Sequence, residues 1–256
     1  MPKSAHSCIC QMTASLPPLL LLPGLACDAE VWKHQVRSLS DVTRLTVADY
    51  GASDSLVAMA RVALARAPAR FAVAGHSMGG RVAYEILRRA PERVAGVALL
   101  DTAYRAWVPG PAGERERSER MELVELARAQ GMRVMARRWV QRMVYAERLK
   151  DERLIGTIIE MFARKSPEIF AAQIRALLGR PDAASVLCSI RCPALVLCGR
   201  QDAWSLPAGH RQMAFLIPGS KLVMIECCGH MSPMERPAEV TVAMREWLAS
   251  LASSRK

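Results

Sequence analysis

The sequence predicts an α/β fold in which a doubly wound, mostly parallel sheet is interrupted by an all-helical insertion. Apolar runs and amphipathic stretches alternate through the first hundred residues, which is typical of strands and helices in such a sheet. From residue 103 to residue 190 only helical patterns occur, and the alternation then resumes. With 256 residues, 51% of them hydrophobic, the chain can bury a large core. We therefore expect a core made of residues 16–102 and 191–256, with residues 103–190 inserted as a helical unit.

The first part of the chain supplies four of the expected strands. Apolar runs predict strands at 18–22, 42–48, 70–75 and 94–101. Amphipathic stretches between them predict helices at 28–39, 54–66 and 78–90, and Ser53 or Asp54 is the expected cap of the second helix. Because the runs are apolar along their whole length, both faces of the sheet should be covered. Residues 1–15 are polar and show no pattern, so we expect a disordered tail there.

The second part of the chain begins with helices and returns to strands. Helical patterns cover 114–129, 132–149, 151–164 and 167–178. A strand at 194–199, a helix at 207–215, a strand at 221–227 and a helix from Pro237 to about Leu251 follow. This arrangement predicts one sheet whose last strands come after the helical insertion.

The net charge of +11 is spread along the chain. Residues 103–190 carry a net charge of +5 and the other 168 residues carry +6. Since no nucleic-acid motif accompanies the charge, we expect solvated, arginine-rich helix faces and no nucleic-acid partner. No run approaches the roughly 18 consecutive apolar residues that span a bilayer, so we expect no membrane partner.

The eight cysteines are too few and too irregularly spaced to predict a disulfide scaffold. Two close pairs, Cys8 with Cys10 and Cys188 with Cys192, raise the possibility of a metal site. No histidine pair at ligand spacing joins them, so we expect no metal. Free cysteines suit a reducing compartment, and the cytoplasm is the expected location.

One motif indicates chemistry. Residues 75–79 read Gly-His-Ser-Met-Gly, a G-x-S-x-G motif between a predicted strand and a predicted helix. That context is typical of a nucleophile elbow, a tight turn that exposes a serine hydroxyl above the end of a sheet. Glycines at both ends of the motif would let neighbouring backbone pass close to the turn. Ser77 is therefore the candidate nucleophile.

A serine nucleophile needs a base, and the base needs an acid that orients it. His230 follows the last predicted strand, on a loop at the same sheet edge as Ser77, and is the candidate base. Asp202 follows the strand at 194–199 and is the candidate acid. Asp101 also ends a predicted strand and is its rival; otherwise we expect it to have a structural role near the start of the insertion.

From residue 18 to residue 251 the chain resembles an α/β-hydrolase-fold serine hydrolase. The resemblance rests on LLLLPGLACDAEVW, AGHSMGGRVAYEI, PERVAGVALLD, CPALVLCGRQDAW and IECCGHMSPMERPAEV. The order Ser77, Asp202, His230 is also the order of that family's triad. Since only a short tail precedes the run at 18–22, we expect no counterpart of the family's first two strands.

The resemblance implies an oxyanion hole made by the backbone N–H groups of Leu25 and Met78. The family usually has His-Gly before the first of these donors, whereas this sequence has Pro23-Gly24. The departure puts the shape of the loop in question but not the need for a donor in it.

Residues 16–32 also resemble a secretory or lipoprotein signal ending at Cys27. Cleavage there would remove a predicted strand together with the loop that carries Leu25. Prolines at 17, 18 and 23 also suit a signal's apolar helix poorly. We therefore expect a strand followed by a catalytic loop, while export by another route stays open.

Together these features predict a serine hydrolase that cleaves a small or medium carboxylic ester or lactone without a cofactor. The resemblance implies that residues 103–190 form a helical cap over the substrate pocket. Methionines and aromatic residues of this segment predict an apolar, adaptable cavity: Met121, Met132, Met135, Trp139, Met143, Tyr145, Met161, Phe162 and Phe170. The fold also hosts carbon–carbon bond hydrolases, thioesterases, lyases and ligand receptors with little turnover, and these alternatives stay open.

Overall fold

The computed structural model describes residues 16–253, in which six strands form one parallel sheet in the order β2-β1-β3-β4-β5-β6. The strands are β1 (Leu19–Leu22), β2 (Leu45–Val47), β3 (Phe71–His76), β4 (Val94–Leu100), β5 (Ala194–Gly199) and β6 (Lys221–Ile225). The apolar strands β1, β3, β4 and β5 are buried along their whole length. Parallel strands with flanking helices confirm the expected α/β class.

Eleven α-helices accompany these strands in the described part of the chain. They are α1 (Lys33–Leu39), α2 (Leu56–Arg66), α3 (Met78–Arg89), α4 (Pro111–Gln130), α5 (Met132–Val140), α6 (Glu152–Ala163), α7 (Pro167–Leu178), α8 (Ala184–Ser189), α9 (Pro207–Leu216), α10 (Ser232–Glu235) and α11 (Pro237–Ser253). Short 3₁₀ turns lie at Ala29–Trp32, Pro91–Arg93 and Ala146–Lys150.

Helices α4 to α8 all lie between β4 and β5, and we call this segment the helical insertion (residues 111–189). Its buried residues, among them Val124, Met135, Phe162 and Phe170, belong to the same hydrophobic cluster as the strands. The insertion and the sheet therefore share one core, which fixes the insertion against the carboxyl ends of the strands.

The structure differs from the sequence prediction at several element ends. β2 is shorter than the strand predicted at 42–48, and α1 begins at Lys33, after a 3₁₀ turn, within the helix predicted at 28–39. The short helices α8 and α10 were not predicted.

The cap of α2 is Ser55, whose hydroxyl accepts a hydrogen bond from the Ala58 N–H at 3.2 Å, so the cap lies beyond Ser53 and Asp54. The helix expected at 132–149 ends at Val140, because the chain there turns toward the loop that follows β6.

The six described cysteines are free thiols. Within residues 16–253, no helix is long and apolar enough to cross a bilayer. The expected tail at 1–15, with Cys8 and Cys10, lies outside the described residues.

Candidate active site

Ser77 lies at the turn between β3 and α3, where its φ of 53° is in the left-handed region that non-glycine residues rarely adopt. The turn is crowded on both sides. A Cβ on Gly79 would lie 2.0 Å from the Leu22 carbonyl oxygen, and one on Gly75 would lie 2.4 Å from the Gly79 carbonyl oxygen. The Ser77 N–H also donates to the Leu100 carbonyl at 2.9 Å. Neighbouring strands thus hold the strained turn, as the two glycines of the motif predict.

The three residues predicted to form a triad form one hydrogen-bonded chain. His230 Nε2 lies 2.8 Å from Ser77 Oγ, and His230 Nδ1 lies 2.8 Å from Asp202 Oδ2. His230 and Asp202 are buried, whereas Ser77 is partly exposed. A hydroxyl, an imidazole and a carboxylate from three different segments are therefore in contact. Their catalytic roles stay a prediction.

The surroundings of Asp202 favour its ionised form. Its Oδ1 accepts hydrogen bonds from the N–H groups of Trp204 at 2.8 Å and Ser205 at 2.9 Å. Burial alone would raise the pKa of Asp202, but the His230 ring and these N–H groups outweigh burial and lower that pKa. Burial alone would lower the pKa of His230, yet the charge and hydrogen bond of Asp202 raise it above the ordinary imidazole value. The carboxylate therefore keeps a proton on His230 Nδ1 and leaves Nε2 facing the hydroxyl.

Asp101, the rival acid, does not contact His230 and instead connects two backbone segments. Its Oδ1 accepts from the Gly199 N–H at the end of β5, and its Oδ2 accepts from the Ser232 N–H, both at 3.1 Å. The side chain is fully buried. Burial and the nearby Asp202 charge raise the pKa of Asp101 well above its usual value. The expected structural role fits this position better than the role of acid.

His76, which the sequence placed only inside the elbow, supports the His230 loop. It is buried, and burial followed by the His230 charge lowers its pKa to about 3, so its ring is neutral. Its Nε2 lies 2.8 Å from the His230 carbonyl oxygen and therefore donates to it. A Cβ on Gly24 would lie 2.9 Å from His76 Nδ1, so the loop after β1 packs directly on this ring.

Glu235 and the helical insertion hold the His230 loop from the other side. The buried Glu235 carboxylate accepts hydrogen bonds from the Gly229 N–H at 3.0 Å and from the Tyr145 N–H at 2.8 Å. The His230 N–H donates to the Met143 carbonyl at 2.7 Å. The early end of α5 leaves residues 141–145 free to make these contacts, which no pattern in the sequence indicated.

The predicted oxyanion donors lie beside the same cavity as Ser77. Met78 begins α3, where first-turn N–H groups have no partner within the helix. Within residues 16–253 the Leu25 N–H has no hydrogen-bond partner either. The next residue, Ala26, has a φ of 58° and donates its N–H to Gln173 Oε1 on α7 at 2.8 Å. Gln173, a residue of the helical insertion that no sequence pattern indicated, therefore fixes this loop, although Pro23 replaces the usual histidine.

A cavity of about 690 Å³ opens above Ser77 and His230. Its apolar lining comes from both the core and the insertion: Leu25, Met78, Leu123, Trp139, Met143, Leu177 and Trp204. The Trp204 ring stacks on Trp139 at 5.3 Å and lies 5.1 Å from the His230 ring. Of the methionines and aromatic residues expected from the insertion, Trp139 and Met143 line this cavity, while Phe162 and Phe170 lie in the core behind Trp139.

The described residues also bear on metal binding. Within residues 16–253, no group of three or more His, Cys, Asp or Glu side chains is placed to hold a metal ion. The Cys188 thiol is exposed and Cys192 is half-buried.

Comparison with known protein families assigns the chain to one of them. A model described as the alpha/beta hydrolase family matches residues 19–243, nearly the whole described core and insertion. The chain belongs to this family. The resemblance that the elbow and strand-end residues indicated is therefore confirmed.

Several of the proteins that this alpha/beta hydrolase is similar to are named as esterases or lactonases. A pimeloyl-[acyl-carrier protein] methyl ester esterase of Nitrosomonas europaea is 30% identical over 86% of this chain and 91% of its own length. A thermophilic esterase from Thermogutta terrifontis, solved with malate bound, is 31% identical with a TM-score of 0.81, covering 94% of this chain and 92% of its own. An enol-lactonase from Burkholderia xenovorans is 25% identical with a TM-score of 0.79, covering 93% and 94%.

Proposed function

We propose that this alpha/beta hydrolase is a serine hydrolase that cleaves a small or medium carboxylic ester or lactone through an acyl-enzyme. The observation that carries the proposal is the chain of 2.8 Å contacts from Ser77 through His230 to Asp202 at the floor of a cavity of about 690 Å³. Similarity to named esterases and to an enol-lactonase supports the same reaction class.

In the proposed reaction, Ser77 Oγ attacks the carbonyl carbon while His230 Nε2 takes the hydroxyl proton. The ionised Asp202 stabilises the imidazolium that forms. His230 then returns the proton to the leaving oxygen as its bond to the carbonyl carbon breaks. Water, activated by His230, hydrolyses the acyl-enzyme in the reverse sense and frees the acid.

The N–H groups of Leu25 and Met78 are the proposed donors to the oxyanion. Such donors stabilise the charge that develops on the carbonyl oxygen, and each typically contributes about a hundredfold to a thousandfold in rate. The helical insertion acts as the cap in this proposal, since it supplies Trp139 and Met143 to the cavity wall. The free thiols of the described chain suit the cytoplasm, which we propose as the compartment.

Replacing Ser77 tests the proposal. Ser77→Ala removes only the hydroxyl, so hydrolysis of p-nitrophenyl esters and of lactones should fall by on the order of 10⁶-fold while the fold is kept. A fluorophosphonate should label the wild type at Ser77 and leave the variant unlabelled. Retention of more than a few per cent of the activity, with an unchanged circular dichroism spectrum, would refute the serine mechanism.

A further inference from the structure

Arginines line the cavity above Ser77 in excess over acidic residues. Six of them contribute: Arg81, Arg105, Arg120, Arg138, Arg142 and Arg180. Three glutamates, Glu116, Glu119 and Glu122, line the same cavity. Arg81, Arg120 and Arg180 are partly buried, whereas the other three arginines are exposed and solvated. A charged group bound in the cavity would therefore interact most strongly with the partly buried arginines, because charges attract more strongly where water is excluded.

One carboxylate serves two of these three partly buried arginines. Glu116 pairs with Arg180 at 2.6 Å and with Arg120 at 2.9 Å. Arg81 has no ion-pair partner within residues 16–253, and its Nη1 donates to the Arg105 carbonyl at 3.1 Å. A guanidinium has five N–H donors, so most of the hydrogen-bonding capacity of Arg81 is left for a group in the cavity.

The electrostatic surroundings of Arg81 favour an anion. Burial, followed by the positive charge of Arg180, lowers the pKa of Arg81 to about 9, which means that its charged form lacks stabilisation. A bound anion would supply that stabilisation. Arg81 lies in the first turn of α3, directly after the turn that carries Ser77, and both residues line the same cavity.

We propose that Arg81 binds a carboxylate of the substrate, so that the enzyme prefers half-esters or lactones that carry a free carboxylate to neutral ones. This inference rests on the proposed function and narrows its substrate class. A carboxylate matches the planar fork of one guanidinium through two parallel N–H···O bonds. Glu116 already pairs with Arg120 and Arg180, so within residues 16–253 Arg81 is the one partly buried arginine of the cavity that has no carboxylate partner.

A comparison of two ester series tests the proposal. The first series is the monomethyl esters of short to medium linear dicarboxylic acids, and the second is the methyl esters of monocarboxylic acids of the same length. We expect kcat/KM to be about tenfold to a hundredfold higher for the first series, because charge-assisted hydrogen bonds between one guanidinium and one carboxylate typically contribute a factor of this size. In Arg81→Gln the ratio of the two values should fall to about one. In Arg81→Lys it should be intermediate, because the charge stays while the fork is lost.

Arg128→Gln is the matched control. Like Arg81, Arg128 lies on a helix, but it pairs with Glu125 at 2.8 Å, and both of these side chains are exposed and outside the cavity lining. The ratio should not change in this variant. Thermal melting followed by circular dichroism verifies that each arginine variant is folded.

Calorimetric titration with a linear dicarboxylate, the product of such a half-ester, gives a result that does not need turnover. We expect Arg81→Gln to weaken binding about tenfold or more relative to the wild type and to Arg128→Gln. Equal kcat/KM for the two series, equal loss on both in Arg81→Gln, or preference for a phosphate-bearing ester would overturn the inference. Turnover of neutral esters with labelling of Ser77 would then still support the proposed function, whereas dicarboxylate binding without turnover or labelling would refute that function alone.

Discussion

Ser77, His230 and Asp202 could be identified in the sequence because each follows an apolar run at the carboxyl end of a strand. Parallel strands bring those ends to one edge of the sheet, so the order of residues along the chain was enough to group them. The backbone contacts of the residues that support them could not be found in this way. His76 and Asp101 act on backbone groups that are 154 and 131 residues distant in sequence, and backbone groups leave no mark on a residue pattern.

The unpaired state of Arg81 is a second feature that the sequence alone could not indicate. The sequence places it one helical turn after Ser77, among many other arginines in amphipathic helices. Only the pairing of Glu116 with Arg120 and Arg180 reveals that Arg81 is left without a carboxylate. Which arginine is unpaired depends on how α3, α4 and the end of α7 meet, and a single helix pattern cannot express that arrangement.

The pH dependence of activity should reflect the contact between His230 and Asp202. The base acts when neutral, so kcat/KM should rise with pH through the His230 ionisation. Asp202 raises the pKa of His230, so the midpoint of the profile should lie above about 6.5, the ordinary imidazole value. An unperturbed histidine would give a midpoint of roughly 6 to 7, and the midpoint here should lie at the upper end of that range or above it. Initial rates on a neutral p-nitrophenyl ester from pH 5 to 9 measure it. A flat profile, or a midpoint below the ordinary value, would contradict this assignment of the base.

At the scale of elements, the buried strands and the more regular helices were predictable. The strand at 194–199 and the helix at 167–178 match β5 and α7 because apolar runs and periodicity mark them clearly. The start of α2 was placed too early, since residues 53–55 are all of types that cap helices. The end of α5 was placed too late, because hydrogen bonds to the His230 loop stop the helix at a point where its own periodicity continues.

Two aspartates that follow neighbouring strands should respond differently to the same substitution. Asp202→Asn would hold the imidazole in the wrong tautomer, so turnover should fall by about 10⁴-fold at neutral pH. Asp101→Asn keeps one carbonyl oxygen but turns an NH₂ group toward the N–H of Gly199 or Ser232. It should therefore lower the free energy of unfolding by about 1–3 kcal/mol and lower turnover at most about tenfold.

Rates with one p-nitrophenyl ester, together with urea unfolding of both variants, distinguish these two roles. If Asp101→Asn lost more activity than Asp202→Asn while keeping its stability, Asp101 would be the partner of His230. The hydrogen bonds to Gly199 and Ser232 would then have only a secondary importance.

At the scale of the whole molecule, the sequence predicted an inserted helical segment but not how closely it joins the sheet. The buried residues of the insertion and of the strands form one cluster. Gln173 and Tyr145 of the same segment also hold the loops that carry Leu25 and His230. The insertion is therefore part of the scaffold of the candidate site, and the two parts should lose their structure together.

Unfolding should accordingly be a single transition that a change deep in the insertion shifts as a whole. Phe162 is fully buried and packs on Trp139, with ring centroids 5.2 Å apart. Phe162→Ala should lower the free energy of unfolding by about 3–5 kcal/mol. Phe215, on α9, is 90% exposed, so Phe215→Ala is a matched control that should leave stability almost unchanged. Urea titrations followed by tryptophan fluorescence and by far-ultraviolet circular dichroism should give coincident curves for all three proteins. If Phe162→Ala instead produced a fluorescence change at low urea while most of the helical signal persisted, the insertion would unfold separately from the sheet, and the shared core would not couple them.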